Sequence, residues 1–261
     1  MKKLNLQYVI LFFVAMLLLS SCIGDKRNVI STSAFGVIRF DYGKFRNVLD
    51  VSANESFYHI QFQTAAEGDC FWVYYELDYD LPENSMENVL DADGNYTYTI
   101  SLMLKESVDL GTLYYTLMDT STVLANEVAI IEPMSEGAFW YIKGNVFLVS
   151  TLEIPDNQTM WWDLSYDYTN MVSESGNRRY YDLYLRATIR DKGTKTPEQI
   201  SVPIAFDMYS YLSTAALKEK ELGGDAFTIR IHYPSAISED GIITWDYQDT
   251  TESIPVAYFI D

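Results

Sequence analysis

The sequence is poor in the residues that carry metal, thiol and nucleic-acid chemistry. Among 261 residues it has two histidines, two cysteines and 18 lysines and arginines, against 37 aspartates and glutamates. Two histidines cannot supply a three-histidine zinc site, and no HExxH motif or cysteine cluster is present. The net charge of −19 argues against nucleic-acid binding, because contact with phosphates requires a surface rich in lysine and arginine.

Motifs of the common enzyme classes are also missing. No GxSxG, SxxK, Walker A or GxGxxG pattern occurs, so nucleotide and nicotinamide cofactors have no support and we expect no cofactor. A hydrolase that uses two carboxylates needs no such motif, and 37 acidic residues do not single out a pair. We therefore predict that the chain is not an enzyme, with a carboxylate-pair hydrolase as the third-ranked hypothesis.

Apolar and aromatic residues are abundant. Hydrophobic residues make up 48% of the chain and tyrosine occupies 21 positions, which is too apolar for a disordered acidic protein. The length allows one large domain or two of modest size, each with its own core.

The N-terminus has the organisation of a secretion signal. Lys2 and Lys3 precede an uncharged apolar stretch from Tyr8 to Leu19, which is shorter than the ~20 residues that span a bilayer. The following Leu19-Ser20-Ser21-Cys22 resembles the lipobox of bacterial lipoproteins, in which the cysteine is acylated and becomes the mature N-terminus. We predict a signal peptide over residues 1–21 and a lipid on Cys22; an ordinary signal peptide and an uncleaved anchor are the alternatives.

The residue after the lipobox bears on location. Ile23 follows Cys22, whereas the inner-membrane retention signal of enteric lipoproteins has an aspartate there, so we expect an outer-membrane protein that faces either the periplasm or the cell exterior. Loss of Lys2 and Lys3 leaves 37 acidic and 16 basic residues, a net charge of −21. Cys70 is then the one remaining thiol, and its strand-like surroundings favour a small buried residue over a nucleophile.

Period-two alternation of apolar and polar residues predicts strands through most of the chain. The clearest alternating segments are Phe57–Thr64, Tyr96–Leu104, Tyr181–Arg190 and Phe227–Tyr233. Tight turn signals such as Asp93-Gly94 and Lys192-Gly193 separate such segments, as in sandwiches and barrels. One stretch, Met208–Leu222, is rich in Ala, Leu, Lys and Glu and ends at a glycine pair, so it predicts a short helix in a crossover.

A weak internal repeat guides the domain division. Residues 74–80 resemble residues 161–167, and each segment is followed by a polar loop, a Gly-Asn pair and an alternating strand. Two tandem β-sandwich modules of immunoglobulin-like type explain this, and so does chance similarity between tyrosine-rich strands. We predict an all-β chain with a tether at residues 22–33, an N-terminal β domain at 34–125 and a C-terminal β-sandwich at 126–261.

A pair of adjacent tryptophans provides the main candidate for ligand binding. Trp161 and Trp162 point to opposite faces of their predicted strand, and Trp162 belongs inside with Leu164 and Tyr166. Trp161 then lies outside with Asp163 and Asp167. In the repeated segment Trp72 and Tyr74 form a similar face. An exposed aromatic ring beside carboxylates can stack on a sugar, but the same residues suit an interface with a partner or between modules, or burial under loops.

Two further aspartates suggest weak calcium binding. Asp91 and Asp93 lie in the segment Asp91–Asn95, which has part of the composition of a calcium loop. Its glycine is fourth rather than sixth, and Leu102 stands where an EF-hand has glutamate. A hairpin turn with exposed acids is therefore favoured over a metal site.

From Trp161 onward the chain resembles the NigD-like lipoproteins of Bacteroidota. The similarity lies in residues 162–167, Gly176, residues 181–186 and residues 229–233. It implies a small OB-like first domain followed by a β-sandwich, with no established catalytic residues to transfer. The first module is thus either a sandwich or OB-like.

These observations lead to two leading hypotheses of different kinds. The first is a non-enzymatic, lipid-anchored envelope protein that mediates protein–protein contact or envelope assembly. The second is a glycan-binding accessory lipoprotein that uses exposed tryptophan and tyrosine with neighbouring carboxylates.

Overall fold

The computed structural model describes residues 27–176 and 178–260, and strands dominate both parts. The predicted signal peptide and Cys22 lie outside the described residues. The strands of the first domain are β1 Val29–Asp41, β2 Arg46–Asp50, β3 Glu55–Tyr58, β4 Cys70–Asp78, β5 Tyr96–Thr99 and β6 Ser101–Ser107. Those that follow are β7 Asp109–Leu110, β8 Thr112–Tyr114, β9 Glu127–Val128, β10 Trp140–Ile142, β11 Asn145–Ile154, β12 Thr159–Ser165, β13 Val172–Ser175, β14 Arg178–Asp191, β15 Glu198–Asp207, β16 Ala226–Ile237, β17 Ile243–Asp249 and β18 Ile254–Pro255.

Helices are few among the described residues. The α-helices are α1 Met86–Val89 and α2 Tyr209–Glu221, and short 3₁₀ turns occur at Ile60–Thr64, Pro82–Asn84, Ser135–Gly137 and Val256–Tyr258. Within residues 27–176 and 178–260, no helix has both the length and the apolar character needed to cross a membrane.

The first domain is organised around one long strand. In the order β5-β3-β2-β1-β4-β6, β1 pairs with β4 along its first part and with β2 along its second. At Gly36, near the change of partner, an added Cβ would lie 2.5 Å from Leu49 Cγ and 2.8 Å from the Asp50 carbonyl oxygen. A glycine is therefore needed for the strands to approach this closely. A strand shared in this way fits the OB-like alternative for the first domain.

Two alternating segments of the first domain fold differently from the prediction. Phe57–Thr64 is not one strand: β3 ends at Tyr58, and His59 Nδ1 accepts a hydrogen bond from the Gln61 backbone N–H, which caps the 3₁₀ turn that buries Phe62. The alternating pattern would place His59 on the polar face of a strand, and in the structure it caps a turn instead. Tyr96–Leu104 is divided at buried Ile100, with β5 pairing with β3 and β6 with β4.

The second domain is a β-sandwich, as predicted. One sheet has the order β10-β11-β15-β7 and the other β17-β16-β14-β12-β8, and their facing side chains form the largest core cluster. In β14 and β16 the predicted inward residues are buried, including Leu183, Leu185, Ile229 and Ile231, except Ile189, which is half-buried. Trp162 is also buried, as the alternation predicts.

The predicted crossover helix is present and determines how two strands pair. α2 connects β15 in one sheet with β16 in the other. Because the chain leaves the second sheet after β14 and returns after α2, β14 and β16 run parallel rather than antiparallel. The helix buries Tyr211, Leu212, Ala215 and Ala216 against the core.

A separate apolar cluster joins the two domains. It contains Cys70 and Val37 of the first domain with Phe147 and Ala205 of the second, and the rings of Phe35 and Phe147 stack at 5.2 Å. Gly111 packs so closely on the ring of Phe206 that a Cβ would lie 2.1 Å from it. Residues of both domains therefore pack closely at the domain junction.

Strand pairing places both the end of the tether and the domain boundary earlier in the sequence than predicted. Residues 29–33, which the sequence predicts as part of the tether, pair with β4 as the start of β1. β7 and β8 pair with β15 and β12 of the second domain, so the chain changes sheets at Val108, earlier than the predicted boundary at residue 125. Both shifts involve pairing between distant segments, which alternation does not reveal.

We predict that Gly36→Ala destabilises the protein. The new methyl group would overlap Leu49 and force β1 and β2 apart, and such overpacking costs about 1–3 kcal/mol of the free energy of unfolding. Urea unfolding monitored by tryptophan fluorescence measures this. Ser33→Ala, at an exposed position of the same strand, is the control and should change stability by less than about 0.5 kcal/mol. Equal stability of the two variants would contradict the proposed close approach.

Candidate functional site

The tryptophan proposed for ligand binding is exposed. Trp161 lies on β12 with 56% of its surface accessible, and the guanidinium carbon of Arg190 is 5.1 Å from its ring centroid. The outward orientation of Trp161 is therefore confirmed, and its role in binding remains a prediction. Arg190 also donates to Thr159 at 3.1 Å, which holds the cation near the ring.

The aspartates predicted beside Trp161 lie in different surroundings. Asp163 is half-buried, and burial raises the pKa of its carboxyl, while a hydrogen bond from Tyr114 and the charge of Arg186 act in the opposite direction. Asp167 lies beyond the end of β12, where its Oδ1 accepts from the Thr169 N–H at 2.8 Å and the Thr169 hydroxyl at 2.6 Å. These bonds lower the pKa of Asp167, so it stays ionised.

The equivalent pair in the first domain is also divided. Trp72 is half-buried and packs against the apolar cluster between the domains, whereas Tyr74 is exposed. Trp72 therefore has the interface role that the sequence left open. The five predicted ligand-binding residues do not form one site, because β4 and β12 belong to different sheets.

Asp91 and Asp93 form a turn. Asp91 Oδ1 accepts from the backbone N–H groups of Asp93 at 2.9 Å and Asn95 at 2.8 Å, and these bonds lower the pKa of Asp91. Across residues 27–176 and 178–260, no group of three or more His, Cys, Asp or Glu side chains is arranged to hold a metal. The described residues therefore bring no third side-chain ligand to the weak calcium site that the sequence suggests.

Cys70 is buried at the domain junction. Burial, together with the nearby charge of Asp69, raises the pKa of its thiol to about 12. A thiol with that pKa is almost entirely protonated at neutral pH and is a poor nucleophile. This agrees with the interpretation of Cys70 as a small core residue.

His232 belongs to a stack of rings and cations on the outer face of the second sheet. Its Nε2 is 2.8 Å from Asp182 Oδ1, and its ring is parallel to that of Tyr184 at 4.6 Å. Beside it, Arg230 lies between the rings of Tyr180 and Tyr247, at 3.5 and 4.3 Å from their centroids. The stack crosses β14, β16 and β17, so these side chains hold the face of the sheet together.

A buried arginine fixes the loop that covers part of this face. Arg186 of β14 and Glu127 have side chains that are 1% and 0% exposed, with Arg186 Nη2 2.6 Å from Glu127 Oε2. Nη2 also donates to the Thr122 carbonyl at 2.7 Å, and Nη1 to the Asp119 carbonyl. Arg186 therefore binds residues 119–127 to the sheet at three places. The sequence showed Arg186 only as an outward residue of an alternating strand.

The most exposed aromatic group lies at the turn between β1 and β2. Tyr42 and Phe45 are 73% and 81% accessible, and their rings make edge contacts with Phe40 at 5.0 and 6.4 Å. We call Phe40, Tyr42 and Phe45 the aromatic tip. Sequence reasoning missed it, although an aspartate followed two residues later by a glycine, as in Asp41-Tyr42-Gly43, is a turn signal.

Side-chain hydrogen bonds and an unusual backbone angle define the shape of the aromatic tip. Asp41 Oδ1 accepts from the N–H groups of Gly43 at 2.9 Å and Lys44 at 3.2 Å, which closes the turn. Phe45 has φ of +48°, a left-handed conformation that is costly for a residue with a bulky side chain. The turn thus presents two large rings to solvent in a strained and ordered conformation.

We predict that Glu127→Ala releases the covering loop, residues 119–127, from the sheet. Removal of the carboxylate leaves the Arg186 cation buried without its partner, and breaking such a pair costs about 3–5 kcal/mol. Hydrogen exchange should become faster across residues 119–127, and the urea midpoint should fall. Asp156→Ala breaks the exposed pair with Lys195 and should cost less than about 1 kcal/mol. Unchanged exchange in the loop of the Glu127 variant would contradict this role for Arg186.

Comparisons with known proteins support the fold and the class of the first domain. Residues 27–104 match the family model of the lipoprotein OB domain. A structure of an uncharacterized protein from Parabacteroides merdae superposes with a TM-score of 0.70 at 21% identity, covering 86% of this chain and 99% of that one. A candidate lipoprotein from Bacteroides fragilis has a TM-score of 0.55 at 12% identity, covering 85% and 100%.

A NigD-like immunity protein from Bacteroides caccae has a TM-score of 0.42 at 11% identity over 85% of this chain and 93% of that one. No curated protein matches the sequence. The match of residues 27–104 decides between the two forms predicted for the first module in favour of the OB-like one. The resemblance of the chain to Bacteroidota lipoproteins is confirmed, with a lipoprotein OB domain as the matched part and a shared fold over most of the chain.

Proposed function

We propose that this protein is a non-enzymatic, lipid-anchored protein of the outer membrane that binds a partner protein through its aromatic tip. The observation that carries the proposal is the exposure of Tyr42 and Phe45 on an ordered turn. Large aromatic side chains are costly to expose to water and are enriched at the energetic centres of protein interfaces. Because the turn is already ordered, little conformational entropy would be lost on binding.

The location of the aromatic tip suits a protein that reaches away from its anchor. The predicted lipid site, Cys22, precedes the start of β1 at Val29 by only a short segment. β1 has 13 residues, so its far end, where the aromatic tip lies, is about 40 Å from its beginning. A partner in the envelope can therefore meet the aromatic tip at the end of β1 opposite the tether.

The non-enzymatic part of the proposal is supported by what the reactive side chains do. Cys70 is a buried thiol with a high pKa, His59 caps a 3₁₀ turn, and His232 is stacked on Tyr184. Each group therefore has a structural contact that accounts for its position. The net charge of the exported chain also agrees with a protein that avoids nucleic acid.

We predict that Cys22→Ala abolishes lipid attachment. The cysteine sulfur is the acylation site in a lipobox, so a chain without it should not incorporate radiolabelled palmitate in cells of the native host. Cys70→Ala removes the buried thiol and should retain the label. Cell fractionation and surface protease treatment would then assign the labelled chain to the outer membrane and to one of its faces. Label on the Cys22 variant would contradict the lipidation site.

We predict that Tyr42→Ser combined with Phe45→Ser weakens partner binding by at least about tenfold, the size of effect typical of central interface aromatics. The partner would be identified by gentle detergent extraction and affinity purification of the full chain, and its affinity for each variant measured with purified components. Tyr258→Ser, at an exposed tyrosine of the second domain, is the matched control and should bind as the parent does. Equal affinity of the double variant and the parent would contradict the proposal.

A further inference from the structure

A cleft at one end of the second domain lies where two parallel strands end together. β8 and β12 run parallel, with Tyr114 opposite Ser165, and the Tyr166 N–H donates to the Tyr114 carbonyl at 3.2 Å. Residues that follow parallel strands meet at the same edge of a sheet. Tyr115 and Thr116 therefore come together with Asp167, Tyr168 and Thr169, although about fifty positions separate them in the sequence.

These five residues line an open cleft of about 460 Å³. The side chains of Tyr115 and Tyr168 are both largely exposed. Behind them Tyr166 is buried, with edge contacts to Tyr115 at 5.8 Å and Tyr211 at 4.6 Å. Burial raises the pKa of Tyr166 to about 12, with the nearby Tyr115 and Tyr168 contributing. The cleft thus has aromatic rings supported from below by a packed core.

Asp167 supplies a charged acceptor at this cleft. Its Oδ1 accepts both bonds from Thr169, and these bonds together with the backbone N–H of Asn170 lower the pKa of the carboxyl, so it stays ionised. Thr116 and Thr169 add hydroxyl groups to the lining. The cleft therefore combines apolar ring surface, an ionised carboxylate and hydroxyls, which are the groups that contact the apolar face and the hydroxyls of a sugar.

We propose that this cleft binds a neutral sugar residue of a glycan, with the sugar ring packed against both Tyr115 and Tyr168 and a hydroxyl donating to the Asp167 carboxylate. The volume lies within the range of small-molecule sites, about 300–1,000 Å³. Acidic sugars are disfavoured because Asp167 and the net charge of the chain repel them.

A cationic peptide is the main competing ligand, and the geometry of Asp167 favours the sugar. A guanidinium binds a carboxylate most strongly through both oxygens at once. Oδ1 of Asp167 already accepts two hydrogen bonds, so this two-point contact with arginine is not available. The sugar site lies in the second domain and is independent of the proposed partner contact at the aromatic tip.

The test is saturation-transfer NMR on the full chain in detergent micelles, with maltoheptaose, cellohexaose and mannohexaose as neutral probes. Trigalacturonate and an arginine-rich hexapeptide are the acidic and cationic comparisons. Tyr115→Ala and Tyr168→Ala should each weaken binding of the recognised neutral probe by about tenfold, and Asp167→Asn by several-fold, since each removes a direct contact. Asp167→Asn keeps an amide oxygen as acceptor for Thr169 and removes the charge of the carboxylate, so it tests the charged acceptor.

Two control variants separate this site from the other surfaces. Tyr42→Ala alters the aromatic tip and Trp161→Ala the exposed tryptophan, and both should bind the sugar as the parent does. Circular dichroism would establish that every variant folds. The proposal is overturned if no neutral probe binds at about 10 mM, a concentration that detects even millimolar affinity. It is also overturned if only Trp161→Ala reduces binding, or if the acidic or cationic probe binds more tightly.

Discussion

The buried cation of Arg186 is the constraint on which the outer face of the second domain depends. A guanidinium in the protein interior is stable only when its hydrogen bonds are made, and here Glu127 and two loop carbonyls make them. The loop that supplies these groups also follows Tyr115 and Thr116 and gives a carbonyl acceptor to the Trp245 indole. One arginine thus fixes the covering loop that borders both the ring stack and the tyrosine cleft.

Local patterns predicted the elements whose structure is determined by burial on one face. Alternation gave the inward residues of β14 and β16 and the opposite orientations of Trp161 and Trp162, and composition gave α2 within one residue at each end. The strand predicted from alternation at Phe57–Thr64 was wrong, because the side-chain cap at His59 and the burial of Phe62 favour a 3₁₀ turn there. Period-two spacing cannot distinguish a strand from a capped turn that places an apolar residue inward.

The candidate sites were less predictable because they depend on pairing between distant segments. Asp167 was predicted beside Trp161, but β12 ends at Ser165 and the parallel pairing with β8 brings Asp167 to Tyr115 instead. Trp72 was predicted to be outward, with an interface between modules as one alternative, and contacts across the domain junction partly cover it. The aromatic tip is local in sequence, and its exposure became evident only from the turn geometry.

The central claim is that the aromatic tip contacts a partner protein in the envelope. Photo-crosslinking in intact cells, with a benzophenone amino acid placed at Tyr42 and, as a control, at Tyr258, tests it directly. Both positions are exposed, so general crowding would affect them alike. The account predicts one discrete crosslinked protein from position 42 that is absent from position 258. No discrete product from position 42, or the same products from both positions, would contradict it.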